Sequence, residues 1–390
     1  MVGSDKVMNQ LSPPTRNAMV AIDLFAGPGG LSLGFRMAGF SVAAAVECDQ
    51  YAGMTYEKNF PESVLFKSKI QNVDPDKLLD VLSKRSYQKV ILIGGPPCQP
   101  FSFANRKTNG NENPEASAVD YYVKFVERIR PDAFLFENVV SFRCMDKGKS
   151  MESFRRRLEE IGFDIDVAII DFDEFGIPQR RRRLFIGGLR KDYSVEFRLC
   201  PKARNKPKPT VRDAVSDLPP LDDGGGGKDE MDYSTKKKLT AFQEKARADA
   251  DRLYNHWCSK NSKAVVETIR CIEKGSSLKK SWNILPEHVK ARYKNPEAIH
   301  SNIYRRLCWS EQSPTIVHAR RAMLLHPSVN RIISVREAAR IQGFPDSFRF
   351  YGGIHSQYQQ VANAVSPVLG EVLAKVFLRH LRKREVATNQ

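Results

Sequence analysis

Cys98 is a thiol set between prolines in GGPPCQPFS (Gly94 to Ser102), directly after the apolar run KVILIGG (Lys89 to Gly95). The run reads as a strand, and the flanking glycines and prolines impose a fixed, non-helical path. The thiol is therefore expected at a loop mouth beyond the C-terminal end of a strand, where open α/β sheets hold ligands. A thiolate there is a nucleophile, whereas a cysteine used as a small core residue would be inert. The following loop, Pro100 to Ser117, is long and polar enough to close over a substrate.

Two further patterns carry charge toward such a site. FENV (Phe136 to Val139) ends another apolar strand with a carboxyl and an amide. In a cleft, burial would raise the pKa of Glu137 and suit it to donate a proton; the plainer reading is a capping pair. PQRRRR (Pro178 to Arg183) is either a solvated charge run or the start of a strand. In a strand, Arg181 and Arg183 share one face, opposite Arg180 and Arg182, and enter a site together.

DLFAGPGGLSLGF (Asp23 to Phe35) runs from a strand through glycines into a helix, which lets the backbone approach a ligand at the helix N-terminus. Glu47 follows 20 residues after Gly27, a spacing that brings a carboxylate to the ribose hydroxyls of a bound nucleoside. Ser32 stands where a nicotinamide fingerprint has its third small residue, so an adenosine cofactor other than NAD is expected.

These residues need a sheet to hold them. Apolar strands at Met19 to Gly27, Ser41 to Asp49, Lys89 to Gly95 and Asp132 to Val139 alternate with amphipathic helices near Leu31 to Gly39, Ala52 to Asn59, Pro75 to Lys84, Asp120 to Arg130 and Met151 to Ile161. DIDVAIIDF and RLFIGGL read as two more strands. Such βα repeats predict an α/β, Rossmann-like, mostly parallel sheet with helices on both faces. The pattern stops near Leu199; residues 200 to 302 are basic and irregular, with a DDGGGG linker and a KKK run, and predict a smaller second domain. The domain reading is a flexible tail at 1–18, a catalytic domain at 19–199, a basic domain with its hinge at 200–356, and a returning helical segment at 357–390.

The 390 residues, 41% of them apolar, can close a core of two domains. Seven cysteines without a CxxC pair suggest free thiols and no zinc site, and no secretory signal or membrane span is read from the sequence. Of the net charge of +17, residues 180–330 hold +15 and residues 1–135 only +1. An excess concentrated in one block points to a polyanionic partner, nucleic acid before membrane.

In this order, DLFAGPGG, VECD, GGPPCQPFS, ENV, PQRRRR, REAARIQGFPD (Arg336 to Asp346) and QYQQVANAVSP (Gln357 to Pro367) resemble the cytosine carbon-5 DNA methyltransferase family, from residue 19 to about 381. The resemblance implies S-adenosylmethionine as cofactor, a seven-stranded catalytic domain, and a target-recognition domain that reads double-stranded DNA. It places the nucleophile at Cys98, the acid that contacts the target ring at Glu137, and substrate-binding arginines at Arg181 and Arg183. Phe25, Gly27, Gly29, Gly30, Glu47, Cys48, Ile70, Pro97, Asn363 and Val365 fall on cofactor-contacting positions, and Gln99, Ser102, Asn138 and Gln179 on substrate or DNA contacts.

The resemblance further implies a cytoplasmic monomer of bacterial or phage type, needing neither metal nor membrane, with a cognate restriction endonuclease as partner. Within it the sequence departs at Lys69, where an Asp usually accepts from the adenine amino group, at Arg182 for Glu, and at Ala362 for Gly. The branch that methylates transfer RNA would keep Cys98 and Glu137, and an inactive DNA-binding homologue would need neither.

Overall fold

The computed structural model describes residues 19–97, 117–203, 207–234, 238–293, 299, 303–317 and 323–387. The first half lays down β1 (Met19–Leu24), α1 (Gly30–Met37), β2 (Ser41–Glu47), α2 (Gln50–Asn59), β3 (Val64–Lys67), α3 (Pro75–Ser83), β4 (Lys89–Gly94), α4 (Ala118–Ile129), β5 (Ala133–Asn138), α5 (Lys149–Ile161) and β6 (Phe163–Asp171). A two-residue strand β7 (Gln179–Arg180) precedes β8 (Arg182–Arg190). Seven of these strands form one sheet in the order β3-β2-β1-β4-β5-β8-β6. β1 to β5 run parallel, and β8 lies antiparallel between β5 and β6. The sheet is therefore the mostly parallel, doubly wound one that the strand and helix alternation predicts.

Burial follows the two-residue period of each strand. In β1, Met19 and Ala21 pack on one side with Leu31 and Phe35 of α1; Val20, Ile22 and Leu24 face the other, with Leu78 of α3 and Tyr122 of α4. All six residues of β1 are buried, as expected of a central strand covered on both faces. β3 escaped the sequence reading because it is a short edge strand of exposed and half-buried residues with no apolar alternation.

Reversal of the chain order beside β1 opens a crevice at the C-terminal edge of the sheet. Because β8 is antiparallel, its first residues reach that same edge: Asp171 pairs with Arg182, and Asn138 with Leu184. Cap chemistry fixes the helices that leave the edge. Asp49 accepts from the Tyr51 and Ala52 amides at α2, and Ser117 and Asp120 form a capping box at α4.

The second half contains α6 (Val211–Val215), β9 (Gly226–Met231), α7 (Ala241–Arg247), β10 (Leu253–Cys258), α8 (Lys263–Arg270), α9 (Glu287–Lys290), β11 (Arg305–Arg306), β12 (Ser313–Pro314), β13 (Leu324–Leu325), α10 (Val335–Ile341) and α11 (Ile354–Asn363). Their apolar side chains share one core running from Val211 to Ala364, which also meets Tyr56 and Phe60 of α2. α10 and the segment before it bury three arginines there. Arg340 holds Asp346 and Asp217, Arg331 holds Glu337, and Arg336 donates to the carbonyls of Tyr254, Pro345 and Phe348. Burial alone would raise the Glu337 carboxyl, but Arg331 outweighs it and holds the group well below the usual range.

The last helix, α12 (Pro367–Ala387), packs on α1. It is long and apolar because most of it is core. Backbones touch at glycines: a Cβ on Gly34 would stand 2.5 Å from the Glu371 amide nitrogen, and one on Gly30 would stand 2.2 Å from the Val365 carbonyl oxygen. That contact sets residues 363–366 against the glycine turn.

Candidate active site

The turn after β1 is built around a carboxylate. Phe25, Gly27 and Gly29 have φ of 61°, 56° and 100°, the left-handed region that glycine adopts at least cost. The Gly27 amide donates to Glu47 Oε2 at 2.7 Å, and the Asp49 amide donates to Glu47 Oε1, also at 2.7 Å. Among the described residues, a Cβ on Gly27 would meet nothing within 4 Å, so the backbone here is open to close approach. Half-buried Glu47, exposed Cys48 and the buried first residue of the turn Ile70–Asn72 stand at the ends of β2 and β3. Burial, then the Glu47 charge, raises the Cys48 thiol pKa. Gly30 touches buried Val365, and exposed Asn363 accepts from Gln359 at 2.6 Å. This cradle fits a nucleoside-bearing cofactor: free backbone approach, and a carboxylate at the second strand end.

Beneath the turn lies a buried polar chain that the sequence reading missed. Ser32 Oγ donates to Asp23 at 2.6 Å and stands 2.9 Å from Tyr56 Oη. Burial pushes the Asp23 carboxyl up to about 7, although the Ser32 hydrogen bonds act to lower it.

A second cluster occupies the neighbouring strand ends. β4 leads into Gly95, Pro96 and Pro97, and Asn138 donates from Nδ2 to the Pro96 carbonyl at 3.3 Å. Gly95 leaves space for the acid, since a Cβ there would come within 2.8 Å of Glu137 Oε2. Arg183 Nε lies 3.2 Å from Glu137 Oε1. Burial raises the Glu137 pKa, and the Arg183 and Arg181 charges pull it back only in part. Pro97 is exposed; Cys98, Gln99 and Ser102 lie outside the described residues.

The four arginines divide by face as strand alternation predicts. Arg180 pairs with Glu311 and Arg182 with Asp171 at the exposed surface. Arg181 turns inward, donating to the Ala362 carbonyl at 2.9 Å and the Ile316 carbonyl at 3.4 Å, while its buried Nε has no partner among the described residues. Gln179 is fully buried and donates to Gln342 Oε1 at 2.5 Å. Gln342 was also passed over: it stands inside REAARIQGFPD, and its signal was an amide at a buried helix end. A carboxyl whose pKa burial raises, beside two guanidiniums and at a strand edge shared with the glycine-turn cradle, can protonate or hydrogen-bond a ring nitrogen, while a guanidinium binds its exocyclic oxygen.

Fold and site thus define a methyltransferase-type α/β enzyme acting on a heterocyclic ring. The chain matches the C-5 cytosine-specific DNA methylase family over residues 19–379 and belongs to it; it is a DNA (cytosine-5-)-methyltransferase. It is 32% identical to the type II methyltransferase M.AgeI of Thalassovita gelatinovora, covering 92% of this chain and 98% of that one. It is also 32% identical to the type II methyltransferase M.DdeI of Desulfomicrobium norvegicum, covering 92% and 88%. A solved structure described as a DNA modification methyltransferase encoded within a prophage of E. coli superposes with a TM-score of 0.74 at 26% identity, covering 94% of this chain and all of that one. The family uses S-adenosylmethionine.

Proposed function

We propose that the chain methylates carbon 5 of a flipped-out cytosine within a short DNA sequence, with Cys98 as nucleophile and Glu137 as acid. The observation that carries this reading is the Glu137–Arg183 pair, formed between β8 and β5, with β5 next to the strand whose sequence continues to Cys98. S-adenosylmethionine, when bound, supplies an electrophilic methyl group on a sulfonium. Phe25, Gly27, Gly29, Gly30, Glu47, Cys48, Ile70, Pro97, Asn363 and Val365 would hold it, with the Glu47 carboxylate toward the ribose hydroxyls.

Carbon 5 of cytosine is too weak a nucleophile to attack unaided. The Cys98 thiolate adds to carbon 6 and makes carbon 5 enamine-like. Glu137 protonates or hydrogen-bonds ring nitrogen 3 and so stabilises the adduct, while Arg183 orients the carboxyl. After methylation a proton leaves carbon 5, the carbon–sulfur bond breaks, and the thiolate is released. The ring is stacked inside a duplex until it is flipped out, a route general to base methyltransferases. Asn138 and Gln179 shape the substrate side, with Gln99 and Ser102 contributing from the loop.

Likeness to type II enzymes supports a cytoplasmic monomer paired with a restriction endonuclease of the same sequence specificity. Residues 200–356 are proposed to read that sequence. Tritiated methyl transfer to unmethylated duplex DNA and to transfer RNA tests the reading. Label in DNA 5-methylcytosine is expected; label in transfer RNA alone, or none in cytosine, would contradict it.

A further inference from the structure

The second domain meets the catalytic edge through two buried amides in series. Gln342, fully buried at the end of α10, donates from Nε2 to the Ala364 carbonyl at 2.5 Å and accepts at Oε1 from Gln179 Nε2 at 2.5 Å. Gln179 Oε1 accepts in turn from the Ile316 amide at 3.2 Å. Ala364 lies between Asn363 and Val365, on the cofactor side; Ile316 follows β12, which pairs with β7 next to Arg181. Arg181 spans the same two segments, reaching the Ala362 and Ile316 carbonyls. An amide has a donor end and an acceptor end. Reversing Gln342 would set nitrogen against nitrogen at Gln179 and oxygen against oxygen at Ala364, and neither amide is exposed to water for repair. The chain therefore transmits a displacement at either end.

We propose that Gln342 and Gln179 are positioning residues that couple the cofactor turn at 363–365 to the DNA-side segment at 313–316, so that each ligand strengthens binding of the other. This rests on the cofactor and DNA assignments above. Coupling of this kind is reciprocal, so it can be read from the cofactor side alone.

The test titrates S-adenosylhomocysteine calorimetrically, with and without sheared unmethylated chromosomal DNA. It uses the full-length wild type, Gln342→Met, Gln179→Met and the double variant, with melting temperatures as a check on folding. For the wild type, DNA is expected to tighten S-adenosylhomocysteine binding about 5-fold, the low end of ordinary couplings. Each single variant is expected to bring that ratio close to one, and the double variant to add nothing, because both lie on one path. Gln342→Glu keeps the acceptor for Gln179 but loses the donor to Ala364, and is expected to lose the enhancement too. Wild-type binding with an unchanged ratio in the variants, or with no enhancement at all, overturns the coupling alone. Failure of the wild type to bind S-adenosylhomocysteine overturns the cofactor assignment with it.

Discussion

Glu137, proposed as the acid, has to keep its proton while sitting beside two guanidiniums, and these demands oppose each other. Burial raises its pKa and Arg183 at 3.2 Å restrains the rise. Methyl transfer that needs the protonated carboxyl is therefore expected to fall as pH climbs through that raised pKa. Glu137→Gln should lower kcat by roughly 10²-fold or more, the usual contribution of a positioned acid. A glutamine amide donates at every pH, so the alkaline fall should be missing from the variant's pH–rate profile; an unchanged profile would remove Glu137 from that role. Glu137 and the division of the arginines were legible in the sequence because a two-residue period assigns faces without coordinates. Gln342 was not, because its partners lie 163 and 22 positions away.

At the scale of elements, the cradle depends on α1 being fixed from both sides. Gly34→Ala would drive a Cβ into the backbone of α12, where no side chain can yield. A loss of about 1–3 kcal/mol in denaturant unfolding is expected, with weaker cofactor binding. Below α1, the Asp23 carboxyl titrates at about 7, against 3.8 when unfolded. A carboxyl raised in this way contributes stability that is full below pH 3.8 and lost as pH rises through 7. Between pH 5 and 8 the wild type should lose roughly 2–3 kcal/mol more than Asp23→Asn, measured by urea denaturation. Strands and helices were readable wherever burial imposed a period. β3 and the Asp23–Ser32–Tyr56 chain were not, the first lacking alternation and the second formed by tertiary packing.

Over the whole molecule, charge divides the labour. The catalytic sheet is nearly neutral, while residues 180–330 carry +15, of which Arg181 and Arg306 face inward and the exposed charges are available to phosphates. DNA affinity should fall linearly on a log–log plot against salt, losing on the order of 10³-fold between 50 and 200 mM if about six phosphates are engaged. A flat dependence would contradict an electrostatic grip. The charge block was readable from sequence alone, yet the buried joints just beyond it were not, since Arg331, Arg336 and Arg340 carry charge and act as core. The proposed attack of Cys98 on the cytosine ring can be trapped on duplex DNA bearing 5-fluorocytosine. With S-adenosylmethionine present, wild type should form a denaturation-resistant protein–DNA adduct and Cys98→Ser should form none. A wild type that forms no adduct, or a serine variant that forms as much, would contradict it.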